Sequence, residues 1–130
     1  MSKICLCGSY DDAEEIYKVS RILLQRYIVF TPAFYLGRRP KSEEQVNLMD
    51  AHFERIKIAD KVLFILATKV GANTLIELGY ALAHAKPIYV LSNDKVTVPN
   101  EIISYFIHRN IVEYQTKLLI ADELLFWISK

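Results

Sequence analysis

The sequence predicts a single α/β domain built on a doubly wound, parallel sheet of five strands, and two observations carry this prediction. First, short apolar runs rich in β-forming residues alternate along the chain with stretches of helical periodicity. Second, two of these runs, residues 62–67 and 88–91, flank a helical stretch of about a dozen residues, which suits a crossover between parallel strands. Right-handed crossovers leave few arrangements, and the simplest is the order 2-1-3-4-5.

The first half of the chain is predicted to contain, in order, a strand over residues 3–8, a turn over 8–12, a helix to about residue 25, a strand over 27–30, a loop over 33–41 and a helix from 42 to about 59. Asp11 or Asp12 can cap the first helix and Ser42 the second, because each has a glutamate or glutamine three residues on. The second helix carries apolar residues at helical spacing, from Val46 to Ile56, which predicts that this stripe faces the core.

The second half is predicted to contain a strand over residues 62–67, the central helix, a strand over 88–91, a polar loop over 92–99, a short helix over 100–108, a strand over 111–114 and a closing helix that ends near residue 128. In parallel sheets, ligands bind beyond the carboxyl ends of the strands, where the strand order reverses. The loops after strands one and three, residues 8–12 and 68–74, should therefore face one crevice.

Composition excludes several classes of protein. The 130 residues have the length of one domain, and a formal net charge of +1 with mixed signs argues against an extended nucleic-acid surface. No apolar run approaches the 18 or so residues that a membrane helix needs, and the N-terminus lacks the pattern of a signal peptide. We therefore expect a cytoplasmic protein with no membrane and no nucleic-acid partner.

Cys5 and Cys7 are the only cysteines, and they lie two apart in a predicted strand, so they point to the same face. The sequence offers them no partners at the spacing of a disulfide or metal site. We expect two small buried residues and no metal-ligand cluster.

Glu77 is the carboxylate most suited to chemistry, because it lies near the start of the central helix at the mouth of the sheet. Thr74 and Glu77 match a capping box, in which the glutamate reaches back to the Thr74 amide. Alternatively, the helix N-terminus keeps Glu77 ionised at neutral pH, as a nucleophile for a sugar carbon must be. The spacing leaves both interpretations open.

The residues around Glu77 suggest a ligand rich in hydroxyl groups. Backbone amides and side chains at Gly8, Ser9 and Tyr10 can bind a hydroxyl or a phosphate, and the acidic turn that follows favours sugar hydroxyls. Arg38 and Arg39 could meet a phosphate, although a solvated loop also explains them.

Three further polar residues are assigned ordinary roles. His52 is predicted to lie on the surface, His84 to be solvated or in the core, and Asp60 to be a turn residue at the opposite end of the sheet.

Residues 71–88 read Gly-Ala-Asn-Thr-Leu-Ile-Glu-Leu-Gly-Tyr-Ala-Leu-Ala-His-Ala-Lys-Pro-Ile. This stretch resembles the signature of the nucleoside 2-deoxyribosyltransferase family. The opening strand that ends in Gly8-Ser9 is also similar, and the resemblance extends from residue 3 to about residue 92. It implies that residues 1–130 form one domain of flavodoxin-like fold that acts on N-glycosidic bonds.

The resemblance also implies a mechanism. Glu77 matches the nucleophile that attacks C1′ of a nucleoside or nucleotide to form a covalent glycosyl-enzyme. Asn73 and Thr74 would orient it or the sugar, Ser9 and Tyr10 would contact the substrate, and no metal or redox cofactor is required. The family often completes its pocket with a neighbouring subunit, so a homo-oligomer is implied.

Gly71 departs from the family pattern, since the transferases carry an acid near this position and the nucleotide hydrolases tend to carry a serine. The departure favours an alternative function: a non-catalytic module that binds or senses a nucleotide.

Overall fold

The computed structural model describes residues 1–32, 41–93, 96 and 121–130, together with the backbone of 112–115. Its elements are β1 (Lys3–Gly8), α1 (Ala13–Leu23), β2 (Ile28–Phe30), α2 (Ser42–Ile58), β3 (Lys61–Leu66), α3 (Ala72–Ala83), β4 (Ile88–Ser92), β5 (Val112–Gln115) and α4 (Ala121–Ile128). Three predicted features lie outside the described residues, namely the loop 33–40 with Arg38 and Arg39, most of the loop 92–99, and the helix 100–108. No helix within the described ranges is long and apolar enough to cross a bilayer.

The strands form one parallel sheet in the order β2-β1-β3-β4-β5. The predicted α/β class and the parallel order 2-1-3-4 are confirmed. β5 pairs with β4 at the edge. β1 and β3 lie in the middle, with Cys7 opposite Phe64 and Gly8 opposite Ile65. Their carboxyl ends therefore meet at one edge of the sheet, as the sequence predicted.

The sheet separates two hydrophobic cores, because both faces of a parallel sheet are covered by helices. The first core contains Ile4 and Leu6 of β1 together with residues of α1 and α4. The second contains Cys5 and Cys7 of the same strand together with residues of α2 and α3. The alternation of side chains along β1 thus sends both cysteines to the α2–α3 face.

The start of α1 differs from the prediction. A 3-10 turn, Tyr10–Asp12, precedes the helix, and the Ser9 Oγ accepts a hydrogen bond from the Asp11 amide at 3.3 Å. Asp12 occupies the N-cap position without capping the helix through its side chain. Its Oδ2 instead accepts a hydrogen bond from the Ala67 amide at 3.1 Å. The predicted aspartate cap is therefore wrong, because the buried Asp12 carboxylate joins the first turn to the end of β3.

The N-cap of α2 lies one residue earlier than predicted. Ser42 is the first helical residue, and Lys41 is the N-cap. The Lys41 amide donates a hydrogen bond to the Glu44 Oε1 at 3.2 Å. Ser42 is therefore not the cap, because the Glu44 carboxylate accepts its hydrogen bond from the amide of Lys41, one residue earlier.

Gly8, at the crevice edge of the sheet, gives a test of packing, and Gly79 in α3 serves as its comparison. A Cβ on Gly8 would lie 2.8 Å from the Ile65 carbonyl oxygen and 2.8 Å from the Ile16 Cδ1, whereas a Cβ on Gly79 in α3 would meet nothing within 4 Å. We expect Gly8→Ala to lower the free energy of unfolding by about 1–3 kcal/mol, the usual cost of overpacking. Gly79→Ala should raise it by about 0.5–1 kcal/mol, because alanine restricts the unfolded chain and favours the helix.

The measurement is urea denaturation followed by circular dichroism. If the dependence of the unfolding free energy on urea concentration is the same in all the proteins, a change of midpoint reports a change of stability. Equal midpoints for the two variants would contradict the close approach of β1 to β3 at Gly8.

Candidate functional site

A cavity of about 310 Å³ opens at the carboxyl ends of β1 and β3. This volume suits a small ligand. Nine residues were predicted to bind the substrate or act on it, and Arg38 and Arg39 lie outside the described residues. The other seven all line the cavity: Gly8, Ser9, Tyr10, Gly71, Asn73, Thr74 and Glu77. The structure thus brings the two predicted loops together. The roles of these residues stay predictions.

The capping box predicted for α3 is wrong. Gly71, with extended backbone at φ −84° and ψ 162°, is the N-cap, and its carbonyl accepts a hydrogen bond from the Leu75 amide. Thr74 therefore lies within the first turn of α3, and Glu77 lies in the second turn. Because the helix starts three residues earlier than the box requires, Glu77 cannot reach back to a cap amide. Capping does not explain this glutamate.

The Glu77 side chain is buried, with only 7% of the residue exposed. Within the described part of the chain, its Oε2 has no hydrogen-bond partner. Burial raises the pKa of Glu77 to about 7, against the opposing effect of the nearby His52 charge. The expectation of a fully ionised Glu77 at neutral pH is therefore wrong, since the influence of a helix N-terminus fades beyond its first turn.

His52 is the main feature that the sequence did not predict. It is 4% exposed, not on the surface, and its Nε2 lies 3.6 Å from the Glu77 Oε2. Its burial has a local cause: α2 presents His52 and Ile56, one turn apart, to the sheet. Burial alone would lower the pKa of His52, but the hydrogen bond and charge of Cys5 and the charge of Glu77 raise it overall. The acid and the imidazole thus form a buried, interacting pair.

Both cysteines are free, fully buried and in contact with the same imidazole. The His52 Nε2 lies 3.6 Å from the Cys5 Sγ and 3.4 Å from the Cys7 Sγ. These three donor atoms all lie within 4.8 Å of one another. The prediction of buried cysteines is confirmed, but the expectation of no metal-ligand cluster is wrong. The third donor comes from α2, far along the chain, and spacing within β1 could not reveal it.

The rim of the cavity carries a cation that the sequence reasoning missed. Lys69 lines the cavity, and its Nζ lies 2.7 Å from the Asp11 Oδ2. The lysine follows β3 and the aspartate follows β1, so the ion pair joins the two loops of the crevice. A basic residue in the predicted loop 68–74 was the signal that could have identified it.

The other polar residues have structural explanations. The Asp60 Oδ2 accepts a hydrogen bond from the Lys3 amide at 2.8 Å, at the end of the sheet opposite the cavity, which confirms its assignment to a turn. His84 is exposed, and its ring stacks on Tyr80, which in turn stacks on Phe53. Of the two settings predicted for His84, solvated or in the core, the structure confirms the solvated one.

Comparison with solved structures finds the same fold in enzymes of nucleoside chemistry. The chain is similar to a CMP N-glycosidase from Clostridium botulinum, with a TM-score of 0.66 and 17% identity over 99% of this chain and 100% of that one. It is similar to the 2-deoxyribosyltransferase of Bacillus psychrosaccharolyticus, with a TM-score of 0.58 and 18% identity over 91% of this chain and 100% of that one.

A third neighbour is the 2-deoxyribosyltransferase of Leishmania mexicana, with a TM-score of 0.58 and 19% identity over 93% of this chain and 76% of that one. No model of a known protein family matches the sequence, and no curated protein sequence matches it. The chain has the nucleoside 2-deoxyribosyltransferase-like fold, as the resemblance of its sequence predicted.

Proposed function

We propose that the chain cleaves or transfers the N-glycosidic bond of a nucleoside or nucleotide bound in this cavity. One observation carries the proposal: Glu77 lines the cavity, yet its Oε2 accepts no hydrogen bond from the described residues. A buried acid that lines a cavity, has a raised pKa and lies beside an imidazole is typical of a catalytic group. The activities named for the similar structures, CMP N-glycosidase and 2-deoxyribosyltransferase, support the same chemistry.

The proposed reaction has two steps. In the first, a carboxylate oxygen of Glu77 forms a bond to C1′, the C1′–N bond breaks, and its electron pair leaves with the base, which takes a proton from water. In the second, water or another base attacks C1′ and returns the carboxylate. With water, the net reaction consumes one water and yields free sugar and free base.

Residues of the two loops would position the sugar. Ser9 follows β1, and Asn73 and Thr74 lie in the first turn of α3, so hydroxyl and amide groups line the same cavity as Glu77. Tyr10 and Gly8 would contact the same ligand, and Gly71 leaves space beside the Ser9 and Thr74 hydroxyls. Arg38 and Arg39 stay candidates for a phosphate.

The test is base release. The purified protein is incubated with ribo- and deoxyribonucleosides and their 5′-phosphates, with and without a second base, and free base is followed by chromatography. Release from at least one substrate class would support the proposal and identify the sugar and the phosphate requirement. Absence of release across the panel would refute it.

A covalent intermediate is expected to be trapped by a substrate analogue with 2′-fluorine, because the fluorine slows both steps and slows the second enough for the adduct to accumulate. Intact-mass measurement should show one added glycosyl group, and peptide mapping should place it on Glu77. Transfer between bases should then follow ping-pong kinetics. An adduct on another residue would contradict the assigned nucleophile.

A second candidate function is a non-catalytic module that binds or senses a nucleotide. It is favoured by the presence of a single carboxylate, Glu77, among the described residues that line the cavity, which leaves no second carboxylic acid there to protonate a departing base. Such a module would raise its melting temperature with a nucleotide and release no base. The panel above separates the two functions when melting curves are recorded beside it.

Self-association and a cytoplasmic location stay predictions. Large apolar side chains are exposed on the helices next to the cavity, at Val46 on α2 and at Leu75 and Ile76 on α3. Such residues support a homo-oligomer that covers this face. Sedimentation of the wild type and of Ile76→Lys would test it, since the charge should dissociate an assembly that uses this face.

A further inference from the structure

We propose that Cys5, Cys7 and His52 are the ligands of a binding site for a thiophilic metal ion, and that this ion is Zn²⁺. The site is distinct in chemistry from the proposed glycosyl transfer, which requires no metal. β1 directs both thiols to one face of the sheet, and α2 places the imidazole over them.

The two sulfur–nitrogen distances match those of a tetrahedral zinc site. With Zn–S bonds of about 2.3 Å and Zn–N bonds of about 2.0–2.1 Å, a sulfur and a nitrogen ligand lie about 3.5 Å apart. The His52 Nε2 is 3.6 Å from one thiol sulfur and 3.4 Å from the other. Because all three donor atoms also lie within 4.8 Å of one another, a single ion can contact them after small movements of the side chains.

The donor set selects the kind of metal. Two thiols and an imidazole favour Zn²⁺ or another thiophilic ion, whereas Mg²⁺ and Ca²⁺ require oxygen ligands. Zinc binding would displace the thiol protons to solution and leave two thiolates and a neutral imidazole. The two thiolates cancel the double positive charge of the ion inside the protein, where an unpaired charge is costly.

A disulfide is the main competing use of two neighbouring cysteines, and the geometry of β1 disfavours it. Positions two apart in an extended strand are about 6.6 Å apart, near the upper limit for the Cα atoms of a disulfide. Both thiols also contact the His52 Nε2, and this geometry suits three ligands of one ion better than a bond between the two sulfurs.

The fourth coordination position falls to Glu77 or to a water beside it, because its Oε2 lies 3.6 Å from the same Nε2. A bound ion would then engage the carboxylate that the proposed reaction needs. If the proposed function holds, zinc should inhibit base release, and a chelator should restore it. Metal binding itself does not depend on that function.

The test uses Co²⁺, which has visible absorption bands where Zn²⁺ has none. Reduced, chelator-treated protein is titrated with Co²⁺ and then with Zn²⁺. We expect one ion per chain, thiolate-to-cobalt charge-transfer absorption, the visible bands of a tetrahedral complex, and displacement of cobalt by zinc. Absence of charge-transfer absorption in the wild type would overturn the proposal without reference to any variant.

Variants then locate the ion. Cys5→Ser, Cys7→Ser and His52→Ala should each weaken binding by on the order of 100-fold or more, since loss of outer-shell partners alone costs 10–100-fold. The matched control is His84→Ala, at an exposed histidine, which should leave the titration unchanged. Circular dichroism establishes that each variant is folded. Charge-transfer absorption that survives in the folded double variant Cys5→Ser/Cys7→Ser would overturn the assignment.

The two proposals fail in different ways. Cobalt binding without base release from any substrate would refute the proposed function and leave the metal site. Base release without cobalt binding would do the reverse.

Discussion

Replacement of Glu77 by glutamine is expected to abolish base release, with a loss of about 10³-fold or more in kcat, as is usual when a covalent nucleophile is removed. The amide is nearly the same size as the carboxylate but cannot form the glycosyl ester. It also carries no buried charge, so the fold should persist. Free base measured by chromatography on the best substrate gives the result directly.

The matched control is Glu54→Gln, an exposed glutamate on α2, which should change the rate by less than a factor of two or so. Nucleotide-dependent shifts of the melting temperature should survive in both variants, because the cavity keeps its shape. Base release within tenfold of the wild type in Glu77→Gln would remove Glu77 from the mechanism.

The pH dependence of the metal-free protein is the second large effect that we expect. Because the pKa of Glu77 is raised to about 7, the ionised form that attacks C1′ becomes scarce as the pH falls below 7. The value of kcat/KM, which reports the free enzyme, should fall about tenfold for each pH unit in that range and level off above it. Between pH 8 and pH 5 the loss should reach about 100-fold.

The measurement is initial rates of base release with a chelator present, from pH 5 to pH 8.5. Substrates without a phosphate are used, so that titration of the ligand does not enter the profile. A profile that is already flat above the ordinary pKa of a glutamate, near 4.5, would mean that burial does not control this carboxyl group in solution.

The sequence was sufficient to predict the sheet and the loops that line the cavity. Strands such as residues 62–67 are short, apolar and bounded by breakers, and the carboxyl ends of parallel strands share one edge. Once Gly8 and Gly71 were placed after adjacent strands, their proximity followed from topology alone. Their proximity does not depend on how the side chains pack.

The contacts of His52 with Cys5, Cys7 and Glu77 could not be predicted in this way. The apolar spacing in α2 predicted a core stripe that begins at Val46, but Val46 is 59% exposed, and His52 faces the sheet instead. The rotation of a helix about its axis is set by what it packs against, which propensity and spacing do not contain. Similarly, Thr74 satisfied a capping pattern, but the helix begins three residues earlier than that pattern requires, with Gly71 as an N-cap that makes no side-chain hydrogen bond.

The separation of the two cores has a consequence for how this protein can be altered by laboratory evolution. The thiols, His52 and Glu77 all lie on the α2–α3 face, while the core of α1 and α4 contains large apolar side chains such as Leu124 and Ile128. Substitutions on opposite faces share few partners, so their effects should be nearly additive. Stabilising changes selected in the α1–α4 core can therefore offset destabilising changes of specificity around the cavity.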